Sequence, residues 1–134
     1  MPVKLHHLAL TTADQAKSGP YYDTVLALLG YRPGHTSDRL RTWGGPGPEI
    51  LLYTVEGDDD RPHTHGRPGW QHGCFQVEDR DTVDAVHTAV VEGGWTVVHP
   101  PREYPEYADG YHAVFVEDPD GIRWEIAHIP NPIA

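Results

Sequence analysis

One internal repeat limits what this chain can fold into more than any other feature. His7-Leu-Ala-Leu-Thr-Thr-Ala-Asp14 recurs 65 residues later as His72-Gly-Cys-Phe-Gln-Val-Glu-Asp79. Each copy is a histidine, an alternating and mostly apolar stretch of strand type, and an aspartate seven residues on. Each then runs into helical spacing. In the first copy Tyr21, Tyr22, Val25, Leu26, Leu28 and Leu29 follow Ser18-Gly19-Pro20 and stop at Gly30, so Pro20 suits the first turn and Gly30 the position after the last. In the second, Val83, Val86, Ala89 and Val90 form one face, Gly93-Gly94 is the stop, and Asp79 or Asp81 is the expected N-cap. Strand-like pieces come next: 31–35, 39–43 and 50–55 in the first half, then 95–99, 111–117 and 122–128 in the second, with Asp118-Pro-Asp-Gly121 as the last hairpin turn. Both halves read β-α-β-β-β. The expected fold is α+β: one domain over residues 1–134, with module one at about 3–56, a linker at about 57–69 and module two at about 70–129.

A chain of 134 residues suits one domain of ordinary size, and 4 Trp with 7 Tyr supply core material despite a mean hydropathy of -0.54. The net charge of -10, with no basic stripe, argues against nucleic acids and anionic membranes as partners. The longest apolar run, Val25 to Leu29, is far short of the roughly 20 residues that span a bilayer, so a soluble cytoplasmic protein is expected. A single cysteine, Cys74, excludes an intrachain disulfide framework. Ten histidines are the compositional oddity, and imidazole is the commonest metal ligand.

Repeat symmetry brings His7 and His72 to equivalent positions, where a pair can converge on one metal ion. Glu125 is the third candidate: it lies in an apolar strand between Trp124 and Ile126, and a carboxylate there costs several kcal/mol unless a partner satisfies it. A facial set of two His and one Glu leaves positions open for a substrate that chelates through neighbouring oxygens. Such chemistry needs a base, for which Glu49, His112 and Tyr111 are candidates. Cys74, two residues past His72, should share its face, as Ala9 does with His7, while His6 should point away.

The pattern His7-Leu-Ala-Leu, helix, His72 with its strand and helix, and Asp118-Pro-Asp-Gly-Ile-Arg-Trp-Glu125 resembles the vicinal oxygen chelate superfamily over roughly residues 3 to 129. That superfamily includes glyoxalase I, extradiol dioxygenases, fosfomycin resistance proteins, methylmalonyl-CoA epimerase and bleomycin-binding proteins. The resemblance implies paired βαβββ modules in a cup-shaped mixed sheet around a metal cavity. It assigns His7, His72 and Glu125 as ligands of one divalent ion per site (Zn, Ni, Mn or Fe), and it implies a homodimer with shared sites.

Departures from the family sort its activities. The fourth ligand of glyoxalase I falls near Ile50 to Leu52, and is either missing or supplied by Glu49 in a shifted register. Phe115 stands where ring-cleaving dioxygenases carry a tyrosine. The leading expectation is a metal-dependent, glyoxalase-like lyase or isomerase acting on a small substrate. A non-haem iron dioxygenase and an antibiotic-binding sequestration protein are the alternatives. Arg41 and Trp43, on one alternating strand, and Tyr104, Tyr107, Tyr111, Phe115 and Cys74 are the candidate substrate contacts. The segment 100–110 is too rich in Pro for regular structure, and His63 and His65 read as surface or lid residues of the linker.

Overall fold

The computed structural model describes residues 2–130. They divide into two compact units at the Pro62/His63 boundary. The first contains β1 (His7–Thr12), α1 (Gln15–Leu28), β2 (Arg32–Thr36), β3 (Leu40–Gly44) and β4 (Glu49–Thr54). The second contains β5 (Gly73–Val77), α2 (Arg80–Glu92), β6 (Thr96–Glu103), β7 (His112–Glu117) and β8 (Arg123–His128). Each is a βαβββ module with one mixed four-stranded sheet, ordered β1-β4-β3-β2 and β5-β8-β7-β6. In both, the strand before the helix pairs in parallel with the last strand of the module, and the other pairings are antiparallel.

The repeated aspartate caps the helix. Asp14 accepts from the Ala16 amide at 2.9 Å and Asp79 from the Thr82 amide at 2.7 Å, each satisfying a donor that the first turn leaves open. α1 therefore begins at Gln15, ahead of the expected start near Ser18-Gly19-Pro20, and Pro20 lies inside the helix. Burial outweighs that local penalty: Gln15, Ser18, Tyr21, Tyr22, Val25 and Leu26 are all buried, and the Gln15 amide donates to the Leu52 carbonyl at 2.8 Å. Both helices end alike. Tyr31 N–H returns to Leu26 C=O and Gly30 N–H to Ala27 C=O; Trp95 and Gly94 repeat the pattern on Val90 and Val91. The residue that turns left-handed is a glycine each time, with φ of 88° at Gly30 and 76° at Gly94.

Register fixes which face of each sheet is covered. In the first unit Trp43, Ile50 and Leu52 are buried on the α1 face, where the Trp43 indole donates to Asp23 at 2.9 Å. His7, Ala9, Thr11, Glu49, Leu51 and Tyr53 alternate onto the other face and are exposed or half-buried. In the second unit Val83, Val86 and Val90 of α2 are fully buried together with Val114, Val116 and Ile126. The opposite face carries Cys74, Phe115 and Glu125, which are register neighbours on β5, β7 and β8.

β6 runs to Glu103 through Pro100 and Pro101, which were expected to be irregular. It is an edge strand whose pairing with β7 shifts register twice, and an edge is where a sheet tolerates residues that lack an N–H. Part of the expected linker belongs to the second unit: His63 N–H donates to Asp120 C=O at 2.8 Å, and the Trp70 indole donates to Arg123 C=O at 2.9 Å. No helix among the described residues is long and apolar enough to cross a membrane.

Candidate functional site

Glu125 is presented by β8 immediately after the Asp118–Gly121 turn. Buried Asp118 organises that turn by accepting from the Asp120 and Ile122 amides at 2.8 and 2.9 Å. The Glu125 side chain is only 5% exposed. One carboxylate oxygen accepts from the Tyr111 hydroxyl at 2.5 Å, and the other lies 3.1 Å from His72 Nε2.

His72, one residue before β5, has its other ring nitrogen committed. The Gln71 side-chain oxygen can only accept, so at 2.5 Å from Nδ1 it places the imidazole proton there. A neutral ring with its proton there would turn the Nε2 lone pair on Glu125, setting two electron-rich atoms face to face. Only a positive centre reconciles them: a proton that makes the ring cationic, or a metal ion. Ligand bonds of about 2.0–2.1 Å at a tetrahedral angle would set two donors about 3.3 Å apart, close to what is seen. Partners on the far side of both groups, Gln71 for His72 and Tyr111 for Glu125, are the support that metal ligands usually have.

Cys74 lies beside Glu125 and Tyr111. The residue is open to solvent on one side, yet desolvation, followed by the Glu125 charge, pushes its thiol up to about 12. Tyr111 is also held well above the usual phenol range, by burial first and then by its bond to the carboxylate. It therefore keeps its proton as a hydrogen-bond donor to Glu125 and is not a base.

His72 and Glu125 border a cavity of about 710 Å³ in the second unit, whose walls include His99, Arg102, Tyr104, Tyr107, Tyr111 and Phe115 but not the expected contact Cys74. Tyr104 and Tyr107 are stacked, with Tyr111 edge-on to both. The Arg102 guanidinium lies 3.7 Å over the Tyr104 ring. Phe115 and His72 meet edge to face at 5.5 Å between ring centres. His99, Arg102, Gln71 and Arg123 also line the cavity, and sequence reading did not single them out. The register shifts of β6 hide the first two. Gln71 and Arg123 carried a readable signal: one adjoins His72, the other is two residues from Glu125.

Three expected site residues face elsewhere. Arg41 and Trp43 do share a face, but it is the α1 face: Arg41 pairs in register with Leu52, and its guanidinium lies 3.8 Å from Asp23. A long side chain there keeps its charge near the rim while its stem packs inside. His112 is buried on the α2 side, where Nε2 donates to Asp84 at 2.9 Å and Nδ1 accepts from Arg80 at 3.3 Å. With both nitrogens engaged it is not available as a base for the cavity. His6 does not turn away from His7 either: their Nδ1 atoms are 2.9 Å apart and the rings are edge to face, because His6 precedes β1 and escapes strand alternation.

In the first unit His7 is exposed at the start of β1, directly opposite Glu49 in register. Cys74 pairs with Glu125 as Ala9, its repeat equivalent, pairs with Leu51, so an apolar residue stands where the second module has its carboxylate. Among the described residues no three His, Cys, Asp or Glu side chains gather into a group that could hold a metal ion. His72 and Glu125 supply two donors within one unit.

Comparison with known proteins agrees with this architecture. The chain is 27% identical to the uncharacterized protein YqjT of Bacillus subtilis (strain 168) over 123 residues, covering 91% of this chain and 96% of that one. A glyoxylase/bleomycin resistance protein/dioxygenase domain from Frankia sp. EAN1pec superposes with a TM-score of 0.78 at 22% identity, covering 96% of this chain and 98% of that one. A glyoxalase/bleomycin resistance protein from Albidiferax ferrireducens T118 gives 0.74 at 25% identity, with 93% and 98% coverage. Residues 4–126 match the family description itself, and the chain belongs to the Glyoxalase/Bleomycin resistance protein/Dioxygenase superfamily.

Proposed function

We propose that the protein is a metal-dependent lyase or isomerase of the glyoxalase type, acting on a small substrate that chelates through vicinal oxygens. The observation that carries this reading is His72 Nε2 set against Glu125 Oε1 at 3.1 Å, with Gln71 and Tyr111 fixing the two donors from behind. His72 and Glu125 would hold the ion. A bound zinc, nickel, manganese or iron ion would supply Lewis-acid stabilisation of charge developing on a substrate oxygen.

The chain's own residues do the rest. Tyr111 keeps its proton and uses it in the hydrogen bond to Glu125, holding that carboxylate in place. His99, on the cavity wall opposite Phe115, is an imidazole placed to move protons. Arg102 and the Tyr104–Tyr107 stack offer a cationic edge and flat apolar faces to a small oxygen-rich molecule. Leu51 at the position equivalent to Glu125 argues against the four-ligand set of glutathione-dependent glyoxalases, so a different substrate is favoured. Phe115, which has no hydroxyl, argues for lyase or isomerase chemistry over ring cleavage.

The test is metal content per chain of the purified full chain after reconstitution, compared with Glu125→Ala. About one divalent ion per site, lost in the variant, is the expected result. No metal in either protein would overturn the reading and put ligand sequestration first.

A further inference from the structure

His65 belongs to a stretch that reads as plain linker, yet its ring is wired to the candidate site. Arg123 is the origin of the wiring. Its guanidinium is held by Glu117, at 3.0 Å through Nε and 2.9 Å through Nη2, and Nη1 points at His65 Nε2 at 3.1 Å. A guanidinium only donates, so His65 Nε2 must accept and the His65 proton must sit on Nδ1. Nδ1 is buried with no hydrogen-bond partner among the described residues, so nothing at that end favours this state; the Arg123 contact imposes it.

The same Nε2 lies 3.2 Å from the Gln71 side-chain nitrogen. An accepting nitrogen selects the NH2 end of that amide, which sends the Gln71 oxygen to the other side, 2.5 Å from His72 Nδ1. His72 then carries a proton on Nδ1, and in its neutral form the ring presents the Nε2 lone pair to Glu125. The first link has one allowed polarity, because Arg123 has only donors, and the links after it follow that polarity.

We propose that His65 is a positioning residue that selects the tautomer of His72, acting through Gln71 with its polarity set by Arg123. The ring does not line the cavity. Its effect is to keep the proton of the neutral ring off Nε2 of His72, so that binding need not begin with a tautomer exchange and a rotation of the Gln71 amide. The consequence for metal affinity rests on the metal reading above, whereas the tautomer itself does not.

The experiment is long-range ¹H–¹⁵N NMR of the metal-free full chain at about pH 9, where neutral imidazole dominates. It compares the wild type with His65→Phe, His65→Gln and Gln71→Leu. The wild type should show His72 as the Nδ1–H form alone. His65→Phe and Gln71→Leu should admit the Nε2–H form, and His65→Gln, whose amide oxygen can still accept from Arg123 and Gln71, should restore the wild-type signal. Gln71 is exposed, so its variant keeps the test open if His65→Phe fails to fold. An unchanged His72 tautomer in folded His65→Phe or Gln71→Leu overturns the proposal. Zinc titration of the same proteins should show about 10-fold weaker binding or more in the two relay-breaking variants. A shifted tautomer in a protein that binds no zinc even as wild type would sustain the relay and remove the metal reading.

Discussion

Cys74 gives the sharpest quantitative check on the site, because two of its properties pull in opposite directions. The residue is exposed, and an exposed lone cysteine is ordinarily quick to alkylate. Its thiol, however, is pushed up to about 12 by desolvation and by the carboxylate of Glu125. At about pH 8 a thiol of pKa about 8.5 is roughly one quarter thiolate, while one at about 12 is roughly one part in ten thousand. The more basic thiolate is the better nucleophile, and a Brønsted coefficient of about 0.4–0.5 returns roughly 25- to 55-fold of the loss. Iodoacetamide should therefore react roughly 40- to 100-fold more slowly with metal-free protein than with the same chain unfolded in urea. The pH profile carries the sign: the raised pKa keeps the thiol protonated, so the rate should climb about tenfold per pH unit through about pH 10 without levelling. Glu125→Gln removes the charge but not the desolvation, so the rate should rise only part of the way to the unfolded value. Rates followed by mass spectrometry that match the unfolded chain, or that reach a plateau by about pH 9, would refute the placement of the thiol against Glu125 and Tyr111.

Other substitutions separate scaffold from site. Asp79→Ala should cost about 1 kcal/mol in urea unfolding, and Asp14→Ala a similar amount, since each removes one cap of the same kind. A null effect at both would mean that the repeated aspartate is not there for capping. His112→Phe should lower stability by about 1–3 kcal/mol by stripping Asp84 and Arg80 of a partner, yet leave metal content unchanged; loss of metal at full stability would return His112 to the site. Gly121→Ala meets two obstacles, a φ of 82° and a Cβ only 2.4 Å from the His63 carbonyl oxygen. It should release the segment around His63, read as faster proteolytic cleavage there, at about 1–3 kcal/mol of stability.

Most of the scaffold was legible because its signals are local and repeated. The helix stops at Gly30 and Gly94 depend on a backbone conformation that glycine adopts freely, and the strand order follows from the βαβββ pattern. The start of α1 was misplaced because Ser18-Gly19-Pro20 imitates a start signal, whereas the capping role of Asp14 shows only when it is set beside Asp79. The site was harder to read, since alternation groups residues by face without saying which face a helix covers. Arg41 and Trp43 were grouped correctly and assigned to the wrong side, and only the pairing of β3 with β4 decides that. For His112 the parity was available: it stands three positions before Phe115 on β7, an odd offset, so the two could not both face the cavity. The His65–Gln71–His72 chain was out of reach, because its meaning lies in donor and acceptor polarity across a loop.

The two modules show what duplication leaves free to change. Each has the same strand order, an aspartate at the helix start, a glycine after the helix end and a histidine at the entrance to its first strand. All of these serve folding or the backbone route, except the histidine. On the face away from the helix the modules differ. The second sets Cys74 beside Glu125, with Tyr111 and Phe115 around them, where the first sets Ala9 beside Leu51. A carboxylate at the position of Leu51 would need its own donor, as Tyr111 is for Glu125, because a half-buried charge without one is costly. The first module has instead Glu49, two residues earlier on the same face and directly across from His7, where solvent can satisfy it. Removing one buried carboxylate therefore spares a module the polar scaffolding that would support it. Concentrating that scaffolding in the second module explains why the turn, Tyr111 and the Gln71–Arg123 network all gather around Glu125 alone.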